Sequence, residues 1–171
     1  IKEKNIYLLS LDIYGNVYCI LDKIQLESDL VVLEYITIFG DIHKITIPYE
    51  KNFERNKKHF SNMYFGCSIK ALISLMEEKN YIFLGTNSQG MNAFFVNKNI
   101  YIYFKNKILN KSIAPPLSRD ARNIDGKLNF KNLNKNLKLI ENFAVYDLDK
   151  KTNVKLSEYQ SIYSEQWSNF V

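Results

Sequence analysis

The first apolar run of the chain, Asn5-Ile6-Tyr7-Leu8-Leu9-Ser10-Leu11, predicts a strand. It runs into Asp12-Ile13-Tyr14-Gly15-Asn16, a polar stretch with one glycine, which predicts a tight turn. Beyond it, Val17, Ile20, Leu21 and Ile24 recur at helical spacing. A second strand, Leu30-Val31-Val32-Leu33, then ends in Glu34-Tyr35. The order strand, helix, strand is a βαβ unit, with parallel strands joined by a right-handed crossover.

Lys44-Ile45-Thr46-Ile47 alternates as a short strand and is closed by Pro48. Residues 49–65 mix Tyr49, Phe53, Phe60, Tyr64 and Phe65 with Lys and Asn, and read as a long irregular loop. Ser68 is placed to cap a helix over Ile69–Lys79, whose Leu72, Ile73, Leu75 and Met76 form an apolar stripe. Tyr81–Leu84 and Ala93–Val96 flank a stretch rich in Gly and Asn, which predicts an antiparallel hairpin. After a break at Ala114-Pro115-Pro116, a helix is expected within Leu128–Ile140. A second hairpin is expected from Val145–Leu148 and Val154–Leu156. The fold class is therefore α/β. Residues 1–104 are expected to form the sheet-bearing part, and 105–171 a C-terminal extension with a short helix and hairpin.

Composition narrows the function. With 171 residues and 46% hydrophobic content the chain can bury a real core. No apolar run approaches the roughly 20 residues of a membrane span, and no signal peptide is visible at the charged start. The net charge of +5 invites a nucleic-acid reading. Its arginines are only Arg55, Arg119 and Arg122, however, and its lysines are scattered, so no nucleic-acid partner is expected. Cys19 and Cys67 stand far apart in apolar surroundings, as thiols of a reducing, cytoplasmic protein would. Neither they nor His43 and His59 have zinc-ligand spacing.

The candidate chemistry lies at the strand ends. Ligands of open α/β sheets sit just outside the carboxyl ends of the strands, and here two such ends carry Asp12 and Glu34. An ionised Glu34 closing a buried strand must be paired, solvent-reached or functional. Asn16 reads as a helix cap or a substrate contact. Tyr35, Tyr49 and Tyr64 are candidates to meet a polar or sugar ring. Asn87 and Asn92 serve either the hairpin turn or a substrate at the rim, and Arg119 either an ion pair with Asp120 or an anion. The aromatic run Ile100-Tyr101-Ile102-Tyr103-Phe104 reads as core or as a contact in a homo-oligomer.

Several segments resemble a known family. Leu9–Tyr18 is similar to the "IDIDGNDYW" strand and turn of methyltransferase-like, FkbM-like proteins of bacterial surface-polysaccharide gene clusters. Val32-Leu33-Glu34-Tyr35 resembles their "VIEYN", Ile47-Pro48-Tyr49 their "VPY", and Tyr64–Ser68 their "YFGAS". Gly85-Thr86-Asn87 with Gly90–Val96 resembles "GCN…GxNAFFV", and Ser118-Arg119-Asp120 with Gly126-Lys127-Leu128 resembles "SRD…G-x-L". The likeness covers residues 6–156. It implies that residues 1–104 are the C-terminal half of a Rossmann-like class I methyltransferase domain, whose last strand is antiparallel and inserted beside its predecessor.

The resemblance also implies S-adenosylmethionine as cofactor and a sugar or other small-molecule substrate. Asp12 would then be base or orienting group, and Glu34 a second polar contact beside it. The family's polar residues are replaced here by Tyr14, Val17 and Ile36, which removes ligands that a metal-assisted version would use. The family leaves a divalent metal open, but these residues do not support one. The glycine-rich turn that holds the methyl donor has no counterpart, since no crossover helix follows Gly85–Gly90. Because the sequence opens on Ile1, the chain is expected to be the carboxyl half of a longer protein, the alternative being a degenerate relic. The competing expectations are a non-catalytic glycan- or partner-binding module and a sugar-nucleotide or glycosyl-transfer enzyme.

Overall fold

The computed structural model describes residues 6–106, 113–114 and 121–169. The first βαβ unit consists of β1 (Leu8–Leu11), α1 (Val17–Lys23) and β2 (Leu30–Glu34), with β1 and β2 paired in parallel, Leu8 opposite Leu30 and Leu11 opposite Leu33. On α1, Val17 and Leu21 turn into the core, while Ile20 and Ile24 are left exposed. The chain continues through β3 (Ile45–Thr46), α2 (Arg55–Lys58) and α3 (Ile69–Glu78). Ser68 ties down the start of α3: its hydroxyl oxygen accepts from the Ala71 N–H (3.2 Å), and its O–H donates to the His43 carbonyl (2.7 Å).

The expected hairpin is β4 (Tyr81–Thr86) and β5 (Asn92–Asn97), with a bulge between Phe83 and Gly85. β5 is antiparallel to both β2 and β4, so the first sheet has the order β1-β2-β5-β4. The second hairpin, β6 (Ala144–Asp147) and β7 (Thr152–Lys155), follows α4 (Leu133–Ile140). β6 does not stand alone. It pairs with β3, Ile45 opposite Asp147 and Thr46 opposite Tyr146, giving a second, antiparallel sheet of order β3-β6-β7. The described residues thus form a mixed α/β protein with one mixed and one antiparallel sheet.

Residues 121–169 share one hydrophobic core with residues 6–106: Leu133, Ile140, Val145, Leu156, Ile162 and Trp167 are buried with Leu33, Phe39, Ile45 and Leu72. The tail closes over residues 38–41. The Tyr163 hydroxyl donates to the Ile38 carbonyl (3.2 Å), the Asp41 carboxylate accepts from the Ser164 N–H (2.8 Å), and the short α5 (Glu165–Ser168) buries Trp167. Gly40, with φ +70°, permits this approach, because a Cβ there would lie 1.8 Å from the Ile162 carbonyl oxygen.

The aromatic run does not enter the core: Ile102 is 66% and Tyr103 74% exposed in a single 3-10 turn. The core half of that expectation is corrected. A turn of this length presents too little contiguous surface to bury five apolar side chains. Exposure also marks β1, which forms one edge of its sheet with Ile6, Tyr7 and Leu8 open to solvent. Among the described residues no helix is long and apolar enough to cross a membrane.

Candidate functional site

The β1–α1 turn and the 49–65 segment build one wall of a cleft together. Gly15 takes φ +116°, and Phe53 lies so close that a Cβ on Gly15 would stand 2.5 Å from its ring. Asn16 clasps the incoming segment with both ends of its amide: Nδ2 donates to the Glu50 carbonyl (2.7 Å) and Oδ1 accepts from the Glu50 N–H (3.2 Å). It makes no side-chain cap on α1. Ordering of the 49–65 segment therefore rests on a turn thirty-odd residues upstream.

Across this clasp lies an aromatic and cationic rack. The Tyr14 ring meets Phe65 edge-on at 5.4 Å, and the Arg55 guanidinium lies 4.7 Å from the Tyr14 centroid and 4.1 Å from that of Phe65. Arg55 Nε also donates to the Asn62 carbonyl. The result is an open cleft of about 640 Å³ whose lining includes Asp12, Ile13, Tyr14, Phe53 and Arg55. It brings an exposed carboxylate and a half-buried guanidinium to one concavity.

The sheet carries this site onto a row of strand ends. Leu11 pairs with Leu33, so Asp12 is level with Glu34, and Glu34 in turn pairs with Asn92. Beyond Asn92 stands Asn87, whose N–H donates to the Asn92 carbonyl (3.0 Å). Asp12, Glu34, Asn92 and Asn87 therefore follow one another along the same edge of the first sheet. Their environments differ. Asp12 is exposed, whereas Glu34 is 6% exposed, and its charge adds to burial and to Cys19 in pushing the Cys67 thiol up. Asn87 is occupied by the turn itself: its Oδ1 accepts from the N–H groups of Met91 (3.0 Å) and Asn92 (3.1 Å).

The remaining candidates are dispersed. Tyr35 is buried behind the rim, its N–H bonded to the Met91 carbonyl, and burial pushes its phenol up against the opposing effect of Thr86. Tyr64 is buried too. Its hydroxyl donates to the Ala144 carbonyl and its ring packs on Phe39 and Phe143, so it serves the junction with β6. Tyr49 is exposed and lines a different cavity, between α1 and the second sheet. Val17 and Ile36 are core residues, 2% and 6% exposed. Arg119 lies outside the described residues. Among the described residues no three His, Cys, Asp or Glu side chains stand together as metal ligands would.

Arg55 is the residue that sequence reasoning passed over. Its rarity in a lysine-rich chain was the available signal; its position between two rings depends on contacts that no local pattern encodes. Chemically, the cleft offers a solvent-reached carboxylate able to accept a hydrogen bond or a proton, in one concavity with a held cation and aromatic side chains. The class this defines is an α/β protein with an acid-tipped rim at the carboxyl ends of two parallel strands. The chain matches no protein-family model, no curated protein and no solved structure.

Proposed function

We propose that this chain is the acceptor-binding, carboxyl-terminal half of a class I methyltransferase that methylates a hydroxyl or amine of a sugar or polysaccharide precursor. The observation that carries the reading is the sheet order β1-β2-β5-β4, with β5 antiparallel and inserted beside β2, together with Asp12 at the carboxyl end of β1 in an open cleft. That order is the one the resemblance implies, and the rim is where such sheets place their ligands.

S-adenosylmethionine itself does not fit these residues. Holding it needs a glycine-rich strand-to-helix turn and an acid for its ribose, and the β1–α1 turn has a single glycine, Gly15, already covered by Phe53. The part assigned to this chain is therefore the acceptor. Asp12 accepts a hydrogen bond from the acceptor hydroxyl or amine and takes up its proton, while the Tyr14–Phe65–Arg55 rack shapes the cleft around the ring. Methyl transfer is governed by positioning, so one well-placed carboxylate is enough. The two free thiols agree with a reducing, cytoplasmic setting.

The test uses the polypeptide that carries this chain, supplied with methyl-labelled S-adenosylmethionine and a panel of sugars. Label is expected in the sugar, and Asp12→Asn is expected to lower its transfer about a hundredfold or more with sugar binding retained. Sugar binding without any transfer would replace this reading with a non-catalytic glycan-binding module. A melting-temperature shift from a sugar nucleotide but not from S-adenosylmethionine would replace it with glycosyl transfer.

A further inference from the structure

A second cavity of about 710 Å³ opens between α1 and the β3-β6-β7 sheet and shares no lining residue with the Asp12 cleft. Its walls come from three stretches far apart in sequence: Tyr18 and Cys19 on α1, Ile47 and Tyr49 after β3, and Tyr146 and Leu148 of β6 and its turn. Two hydrogen bonds hold its floor in place. The buried Thr46 hydroxyl donates to the Gly66 carbonyl (3.2 Å), and the Leu148 N–H donates to the Lys44 carbonyl (2.9 Å). Burial, with Asp22 and Glu78 adding to it, pushes the Tyr18 phenol up to about 12, so the phenol stays neutral. Three aromatic rings and two aliphatic side chains at this volume suit a flat apolar body of one or two rings.

The charges at the mouth say what such a body should carry. Asp22, Lys23 and Lys151 line the opening, and Lys23 pairs with Asp22 at 2.8 Å. The carboxylates nearest Lys151 in sequence are already engaged, Asp149 by Lys44 and Asp147 by Lys150. One positive charge is left over at the rim, on Lys151. We propose that this cavity binds a small aromatic or polycyclic anion, with its rings among Tyr18, Tyr49 and Tyr146 and its carboxylate or phosphate on Lys151. The site is separate from the Asp12 cleft, so it stands whether or not the methyltransferase reading does.

Cys19 supplies a reporter. It is half-buried and lines the cavity, whereas Cys67 has no exposed surface. In the native chain a thiol-reactive chromogenic disulfide should therefore modify Cys19 and leave Cys67 silent, with Cys19→Ser as control. 2-Naphthoate is expected to slow that modification saturably. 2-Naphthol, the same ring system without the carboxylate, should need about fivefold more for equal protection. Lys151→Asn, which removes the charge and suits the left-handed backbone there (φ 55°), should bring the two probes level. Tyr49→Ala, at an exposed position, should weaken protection by both. Lack of saturable protection by naphthoate would overturn the proposal, as would a preference for naphthoate that survives Lys151→Asn. Stronger protection by maltose than by naphthoate would reassign the cavity to a neutral glycan.

Discussion

Of the carboxylates at strand ends among the described residues, Asp147 and Asp12 stand in opposite surroundings. Asp147, the last residue of β6, is 5% exposed and engaged through both of its oxygens. Oδ1 accepts from the N–H groups of Asp149 (3.0 Å) and Lys150 (2.8 Å), and Oδ2 from the Tyr159 hydroxyl (2.7 Å), with the Lys150 ammonium 3.5 Å away. Asp12, just past β1, is exposed at the wall of an open cleft. A buried carboxylate held at both oxygens by its own turn and by Tyr159 is architecture. One left open in a cleft that a held guanidinium also lines is available for chemistry. The difference comes from what folds over each turn: Tyr159 closes over Asp147, whereas Phe53 and Glu50 close over Gly15 and Asn16 and leave Asp12 at the edge.

The contrast can be broken at several points. The largest effect is expected at the clamp that seats the tail against residues 38–41. Gly40→Ala places a methyl group on a backbone carbonyl that cannot yield, at a φ that side chains rarely adopt. It should cost about 3 kcal/mol or more in chemical denaturation, with loss of the native Trp167 fluorescence signal.

Next comes Asp147→Ala, which strips the turn of its acceptor and should cost about 2–3 kcal/mol at neutral pH. Its pH dependence has a definite sign. Burial alone would push this carboxyl up, but bonds from the Lys150 backbone, the Tyr159 hydroxyl and the Asp149 backbone, with the Lys150 charge, hold it below its ordinary value. A group depressed in the folded state contributes its stability above the unfolded value, about 3.9. That contribution disappears as pH falls through the folded value. The gap between native protein and variant should therefore be constant near neutrality and close in acid. A gap unchanged at pH 2 would refute the assignment.

Gly15→Ala should be milder, about 1–2 kcal/mol, because the clashing partner is a side chain. Phe53→Ala in the same chain should return part of that loss, a coupling that a double-mutant cycle would read. Smallest of all is Asp12→Asn, expected within about 0.5 kcal/mol in stability, whereas the methyl transfer proposed above would fall about a hundredfold. Should Asp12→Asn destabilise as strongly as Asp147→Ala, the distinction between the two carboxylates would be lost.

Much of the first sheet is legible in the sequence, because its signals are short-range. The apolar run before Asp12, the period of Val17 and Leu21, the Ser68 cap and the Gly- and Asn-rich hairpin each act within a few residues. Asn87 likewise serves its own turn. The 49–65 segment was legible only as long and aromatic. The short helix α2 inside it, the seat of Arg55 between Tyr14 and Phe65, and the burial of Tyr64 under β6 all depend on partners brought from elsewhere. The same holds for the C-terminal hairpin, which reads as self-contained in sequence and is completed by β3, about a hundred residues upstream.

By itself the sequence determined the strands of both hairpins, the helices α1, α3 and α4, and that β1 and β2 end in acids, because periodicity, capping and turn chemistry act between near neighbours. The tertiary structure alone decided which of those acids stays open, that Arg55 and Asp12 line one cleft, and that Tyr18, Tyr49 and Tyr146 line one cavity. Burial and charge pairing are properties of what packs over a residue, and in this chain the covering groups arrive from far along the polypeptide.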